Sequence, residues 1–347
     1  MARALLEASG VGRELEPATR VLLKPNLVMD RDASTGATTT PAVVAGAIEF
    51  LQDCGVRDIT IAEGSSVGCP TRRAFRACGY DSLARRYGVK LVDLKGDSWR
   101  VIAVEDLELK VSRRALETDF FLNLPVLKGH CQTKMTCALK NLKGCIPDEE
   151  KRRFHTLGLH RPIALLASVL PTQLSLVDAL GGDLTFEEGG TPVRLDRLLL
   201  GRDPVLVDSY AATLMGFRPG EIEHVRLAAA LGVGRMDLAG LRVREIGRPP
   251  PGEAAGPRSL SHLSRHVEAR DACSACYGSL LHALQRLSER GGLERLPGPL
   301  RVGQGFRDTA AEGHGVGSCT SGLRRSVTGC PPPAGAILDF LQTLIDA

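Results

Sequence analysis

Between residues 20 and 216 the chain alternates short apolar, β-branched runs with stretches of helical spacing, and that alternation limits the fold more than any other feature. Val21-Leu22-Leu23 leads into Lys24-Pro25-Asn26, PAVVAGAIEFLQDCG (41–55) has helical spacing that stops at Gly55, and DITIAEGSS (58–66) is a strand entering a turn of small residues. YDSLARRYG (80–88) predicts helix, VKLVDL (89–94) strand, and DFFLNLPVLKGH (119–130) strand and loop. LSLVDALGG (174–182) reads as strand and turn, and DPVLVDSYAATLMG (203–216) as a strand or short connection into a helix. Strands separated by helices are joined by crossovers, which make neighbours parallel. The expected fold class is α/β, a doubly wound, mostly parallel sheet. Ligands of such sheets gather outside the carboxyl ends of the strands.

The 347 residues suffice for one large α/β domain and a smaller module. Around residues 246–260 the stretch GRPPPGEAAGPRSL is dense in proline, glycine and small polar residues and reads as a linker. This divides the chain into an α/β domain (1–245), the linker (246–260) and a small C-terminal cysteine-rich module (261–347). A net charge of +4, with no gathered stripe of cations, argues against a nucleic-acid partner. No apolar run approaches the roughly 18 residues of a membrane span. The first twenty residues have only a short apolar stretch interrupted by Glu7, which is no secretory signal, so a cytoplasmic location is expected. ALGGDLTFEEGGTP (179–192) lacks the order of a phosphate-binding P-loop, and no GxGxxG opens a helix after the first strand; neither ATP nor NAD is supported.

Ten cysteines are many for such a chain, yet they are spread over its whole length, unlike the framework of a small secreted domain. Metal or redox chemistry explains some of them better. Cys273 and Cys276 form the CxxC of DACSACYGSLLHALQRL, and Cys319 and Cys330 supply two further thiols. Four thiolates suit either a zinc ion or an iron–sulfur cluster. Structural zinc usually takes its second pair closely spaced, whereas a cluster tolerates the wide separation of Cys319 and Cys330, and proline directly after the last ligand is common in ferredoxins. A cluster on Cys273, Cys276, Cys319 and Cys330 is therefore favoured, 4Fe-4S first, with 2Fe-2S and zinc open. Buried apolar thiols or a redox-active disulfide are the plain alternatives. VTGCPPPAGAILDFL also resembles the GCPP cluster-ligand segment of hydrogenase small subunits and the related complex I subunit. The prolines would then fix a loop that presents Cys330 and start the last helix at its first position.

NLPVLKGHCQTKMTCALKNLKGCIPDEEKRRFH (123–155) carries Lys128, His130, Lys134, Lys140, Asn141, Lys143, Lys151 and His155. Lys140 and Lys143 share a helix face that Gly144 would close. A solvated basic helix is the ordinary reading of such a run. Position favours another: Lys128 and His130 follow a buried strand directly, as do Lys24 and Asn26 at the first strand and Glu63 at AEGSS. The expected substrate-binding set for an anionic small molecule is Lys24, Asn26, Glu63, Lys134, Lys140, Asn141 and Lys143, with Lys128 and His130 as acid–base groups. Asp178 and Asp208 would orient a lysine, bind a metal ion or cap a helix, capping being favoured for Asp208. Cys131 and Cys137 lie among cations that would lower a thiol's pKa, although small packed residues are the commoner finding.

VLLKPNLV, TTTPAVVAGAIEFLQDCGVRDITIAEGS, the 119–155 block with its KxH and ALKNLKG, LSLVDALGG and DPVLVDSYAATLMGF together resemble the domain of unknown function 362 family, in order, over residues 20 to 240. The resemblance implies an iron–sulfur-associated protein. It also implies a distant similarity to the N-terminal part of nickel-pincer lactate racemases, where His and Lys transfer protons, which would cast His130 and Lys128 in that role. The two ferredoxin cysteine runs of many relatives are missing, which leaves at most one cluster. The expectation is an iron–sulfur redox protein acting on or binding an anionic small molecule. Its rivals are an isomerase or racemase with a structural metal site, and a non-catalytic protein delivering electrons or clusters to a redox partner protein.

Overall fold

The computed structural model describes residues 1–247 and 260–346; residues 248–259 of the expected linker lie outside the described residues. The chain divides into two compact units, Met1–Lys151 with Leu159–Pro257, and Arg152–Gly158 with Arg258–Ala347.

In the first unit, β1 (Arg20–Pro25), β2 (Asp58–Glu63) and β3 (Lys90–Asp93) are followed by a hairpin of β4 (Trp99–Val104) and β5 (Leu107–Ser112). Then come β6 (Phe120–Leu124), a second hairpin of β7 (Lys128–His130) and β8 (Lys134–Thr136), β9 (Thr172–Gly182) and β10 (Val193–Gly201). Six of these form one sheet in the order β10-β9-β6-β1-β2-β3. Its pairings are parallel apart from the antiparallel β9–β10 edge. The α/β class and mostly parallel sheet expected from the alternation are what forms.

Buried parallel strands need apolar residues on both faces, and β6 is buried at every position. Helix Pro41–Asp53, opened by proline in its first turn, turns Val43, Val44, Ala47, Ile48 and Leu51 inward. These join Leu6 of helix Ala2–Ser9 and Leu23, Ile61 and Leu122 of the sheet in one apolar core.

Residues 203–216 take the second of the two expected forms, a short connection into a helix. Helix Pro204–Leu214 starts there because the Asp203 carboxylate accepts from Val205 N and Leu206 N, both at 2.9 Å, and Pro204 occupies the first turn. Asp208 thus lies on a helix and not at a strand end.

The second unit holds a four-stranded, wholly parallel sheet of β11 (Val267–Ala269), β12 (Leu300–Val302), β13 (Ala311–Val316) and β14 (Leu323–Val327), in that order. Helices Ser274–Glu289 and Ala334–Ile345 pack on each other, burying Leu280, Leu284 and Leu287 of one and Ile337 and Leu341 of the other. The expectation that proline starts the last helix needs correction: Pro333 is the residue before it, with extended ψ of 143°, and Ala334 opens the helix. No helix among the described residues is long and apolar enough to cross a membrane.

Candidate functional site

In the first unit the carboxyl ends of β1, β2 and β6 bring polar side chains into an apolar interior. Lys24 Nζ donates to Glu63 Oε1 and Oε2 at 2.9 and 3.0 Å and reaches Asn141 Oδ1 at 3.3 Å. Asn26 Nδ2 donates to Asn141 Oδ1 at 2.8 Å, and Asn141 Nδ2 donates to Asn123 Oδ1 at 2.7 Å. Glu63 also accepts from Leu27 N and Gly64 N at 2.9 and 2.7 Å. A buried ammonium and carboxylate are tolerable only when paired and hydrogen-bonded, and here both are.

A second group forms around a residue the sequence reading passed over, Glu187. Lys140 Nζ donates to Glu187 Oε1 at 2.6 Å, and His130 Nε2 lies 3.0 Å from Oε2. His130 Nδ1 accepts from Gln132 N and Thr133 N, each at 3.1 Å, so the neutral ring carries its proton on Nε2, facing the carboxylate. Lys128 Nζ donates to the carbonyls of Ala37 and Glu187 at 2.5 and 3.0 Å. Gly129 separates Lys128 and His130 because the backbone of Leu184 and Thr185 runs against it; a Cβ there would collide with the Leu184 carbonyl.

The loop bearing Glu187 is shaped by Asp183, whose carboxylate accepts from Thr185 N, Phe186 N and Thr191 N, each at 2.9 Å. An aspartate after paired glycines marks such a turn, and the adjacent Glu187-Glu188 pair was the signal in the sequence.

Each titration shift begins with removal from water. Burial lowers Lys128 to about 8, with Glu187 opposing and Lys140 adding to the shift. It lowers His130 to about 4, helped by Lys140 and Lys143. Burial would raise Glu187, yet Lys140, His130 and Lys128 together hold it well below the ordinary carboxylate range. Glu188 is raised to about 7 by desolvation and then by the charge of Glu187. A lysine, an imidazole and a carboxyl shifted from their usual values single out this cluster as the candidate site.

The structure therefore gathers Lys24, Asn26, Glu63, Lys128, His130, Lys140 and Asn141, but not as an open ring of cations. Lys24 and Lys140 are neutralised by Glu63 and Glu187. Lys143 lies in the turn Leu142–Cys145, near enough to act on the charge of His130. Lys134 stays apart, exposed in β8 and 5.7 Å from the Phe217 ring. Asp208 does cap a helix, though from a distance in sequence: its oxygens accept from Ala138 N and Leu139 N at 2.7 and 3.1 Å. Asp178 accepts from Thr40 N and Leu180 N. The nearby cations do not activate the thiols. All six cysteines of this unit, Cys54, Cys69, Cys78, Cys131, Cys137 and Cys145, are pushed up, first of all by burial, Cys78 to about 11 and Cys145 to about 12.

The second unit brings together four cysteines from three separate stretches. Cys273 is the residue before helix Ser274–Glu289, Cys276 lies in its first turn, Cys319 sits in the turn Ser318–Thr320, and Cys330 follows β14. All four line one small cavity, together with Arg152 and Arg307. Burial pushes Cys276 up to about 12, and the sulfurs of Cys273, Cys330 and Cys319 act in the same direction. Gly317, at φ 95°, faces the cavity, where a Cβ would stand 3.3 Å from Cys276 Sγ. The lining holds no carboxylate or imidazole, only Ser318 and Gln304 as further polar residues, and four thiols suit zinc as well as an iron–sulfur cluster. Among the described residues, no group of three or more His, Cys, Asp or Glu side chains is arranged to hold a metal ion.

Residues 21–213 match a family model described as a domain of unknown function, DUF362. A thylakoid-associated protein of Synechocystis sp., sll1697, is 33% identical over 157 residues, which are 44% of this chain and 47% of that protein. The chain thus spans about half the length of this curated relative. The lactate racemase apoprotein from Thermoanaerobacterium thermosaccharolyticum superposes at a TM-score of 0.42 and 12% identity, over 64% of this chain and 55% of that one.

Proposed function

The chain belongs to the DUF362 family of domains of unknown function, and on that footing we propose that it is an iron–sulfur protein of redox function. Cys273, Cys276, Cys319 and Cys330 would hold one cluster, 4Fe-4S by preference, and the first unit would bind an anionic small molecule. The observation that carries the reading is the lining of one cavity by four thiols that are up to 57 residues apart in the chain, with no carboxylate or imidazole beside them. A cluster so held supplies one-electron transfer. Of the buried cations, Lys128 is the one without a carboxylate in hydrogen-bond reach: its Nζ donates to two carbonyl oxygens, while Lys24 and Lys140 face carboxylates.

A second reading draws on the acid–base groups. Lys128 near 8 and Glu188 near 7 are poised to take and return a proton at neutral pH, which suits an isomerase or racemase whose cysteine site is structural. The two readings part on one experiment. Protein purified without oxygen is assayed for iron, sulfide and zinc, with visible and electron paramagnetic resonance spectra, for the wild type and Cys330→Ser. A broad visible band that weakens in Cys330→Ser supports the redox reading. Stoichiometric zinc with no visible band overturns it and leaves the proton-transfer reading. A cytoplasmic location belongs to the same proposal. The Synechocystis relative is described as thylakoid-associated, so sedimentation of this protein with membranes on cell fractionation would overturn that part.

A further inference from the structure

We propose that an apolar groove along the β10 edge of the first unit binds a free fatty-acid carboxylate, whose acyl chain lies in the groove and whose head meets arginines at the rim. The groove shares no residue with the Lys–His–Glu cluster at the strand ends.

β10 is an edge strand of the six-stranded sheet and closes with Leu198-Leu199-Leu200. Side chains alternate across a strand, so three successive leucines cannot all face one side. Leu198 and Leu200 pack into the core, and Leu199 faces away from it. Helix Pro204–Leu214 turns Val205, Ala211 and Ala212 inward and leaves Leu206 and Tyr210, one turn apart, half-buried. Two adjoining cavities of about 380 and 340 Å³ share Leu5, Leu198, Leu199, Tyr210, Val243 and Ile246, and so form one groove. Its size is that of a small-molecule site. Val243 and Ile246 are 49% and 44% exposed, which leaves water against apolar side chains that a ligand chain would cover. Residues 248–259, next in the chain, contain no Leu, Ile, Val, Phe or Met to cover them.

Charge at the rim selects the head group. Among the described residues, the guanidinium groups of Arg197 and Arg242 have no hydrogen-bond or ion-pair partner, and Arg244 reaches only the Ala8 carbonyl, at 3.4 Å. The other charges are engaged. Arg202 pairs with Glu14, Asp196 pairs with Arg194 at 2.9 Å, and Asp203 accepts from Val205 N, Leu206 N and Arg235 N. Three arginines therefore stand open against one carboxylate, Glu245, and the rim is positive. Arginine stems lie along apolar walls while their heads stay in water, and the guanidinium fork suits a carboxylate better than a hydroxyl.

The test titrates the full chain with octanoate, decanoate and laurate below their micelle concentrations, and with 1-octanol, by isothermal calorimetry at low and high salt. One saturable site is expected, each added methylene tightening binding roughly fourfold until the groove is full. Octanoate should bind about threefold tighter than 1-octanol at low salt, with less difference at high salt. Val243 lies outside the core, so Val243→Glu should keep the wild-type thermal unfolding and weaken laurate at least about tenfold by placing a carboxylate in the groove. The double variant Arg197→Ala, Arg242→Ala should bring octanoate down to 1-octanol and leave 1-octanol unchanged. Absence of saturable laurate binding overturns the inference. Laurate binding that Val243→Glu leaves intact also overturns it, as does equal binding of octanoate and 1-octanol to the wild type at low salt. A dimer on sedimentation that Val243→Glu dissociates and laurate does not would assign the groove to a second copy of the chain and overturn it as well.

Discussion

Every lysine of the chain lies at or before Lys151, and arginine carries the positive charge thereafter. Yet Lys24, Lys128, Lys140 and Lys151 are all buried. A compact ammonium on a thin stem fits where a planar guanidinium does not. Lys24→Arg should therefore overfill its site and cost about 1–3 kcal/mol, while Lys24→Met strands the buried Glu63 carboxylate and should cost about 3–5 kcal/mol. Adding Glu63→Gln to Lys24→Met should return much of that loss; a double-mutant cycle by urea unfolding measures it. Histidine gives the matching acid response. Burial holds folded His130 down to about 4, below the ordinary 6.5 of imidazole, and His224, fully buried with both ring nitrogens lacking a hydrogen-bond partner among the described residues, is also pushed down by burial. Between the folded and unfolded values the unfolded chain takes up a proton that the folded chain refuses. Stability is therefore lost as pH falls from 6.5 toward 4. His224→Leu should flatten that slope by about one proton in the pH dependence of unfolding free energy, at little cost near neutrality. An unchanged slope would show that His224 does not contribute to it.

The elements show what a sequence can and cannot disclose. Buried parallel strands are continuous apolar runs, so β1, β2, β6 and β9 were legible from composition alone. Asp203-Pro204 was an equally legible helix start, but Val-Leu-Val after it has strand character, and the cap decides the conformation locally. The pairing of the site was not legible. Lys24 and Glu63 stand 39 residues apart and Lys140 and Glu187 47, with no periodicity to connect them. Only the meeting of strand ends makes them neighbours. Likewise the KGH of β7 revealed its ionisable residues but not its glycine, whose need comes from the loop after β9. Gly129→Ala should push that loop away and cost about 1–3 kcal/mol, read by thermal unfolding. It should also shift the titration of His130, followed by NMR, because Glu187 moves with the loop.

At the scale of the whole molecule, two units with separate sheets and separate cores predict separate responses. On the cluster reading, removing iron with a chelator should lower amide-exchange protection around Cys273, Cys276, Cys319 and Cys330 and along β13 and β14, while β1, β2 and β6 keep theirs. Uniform loss across both units would show that they unfold as one. The distribution of sulfur adds a practical consequence. The six thiols of the first unit are held protonated by burial, whereas Cys330 is exposed at the other site. An alkylating reagent applied to the native protein thus meets Cys330 first, and on the cluster reading a bound group would protect that thiol. A single exposed sulfur would thus report whether its site is filled.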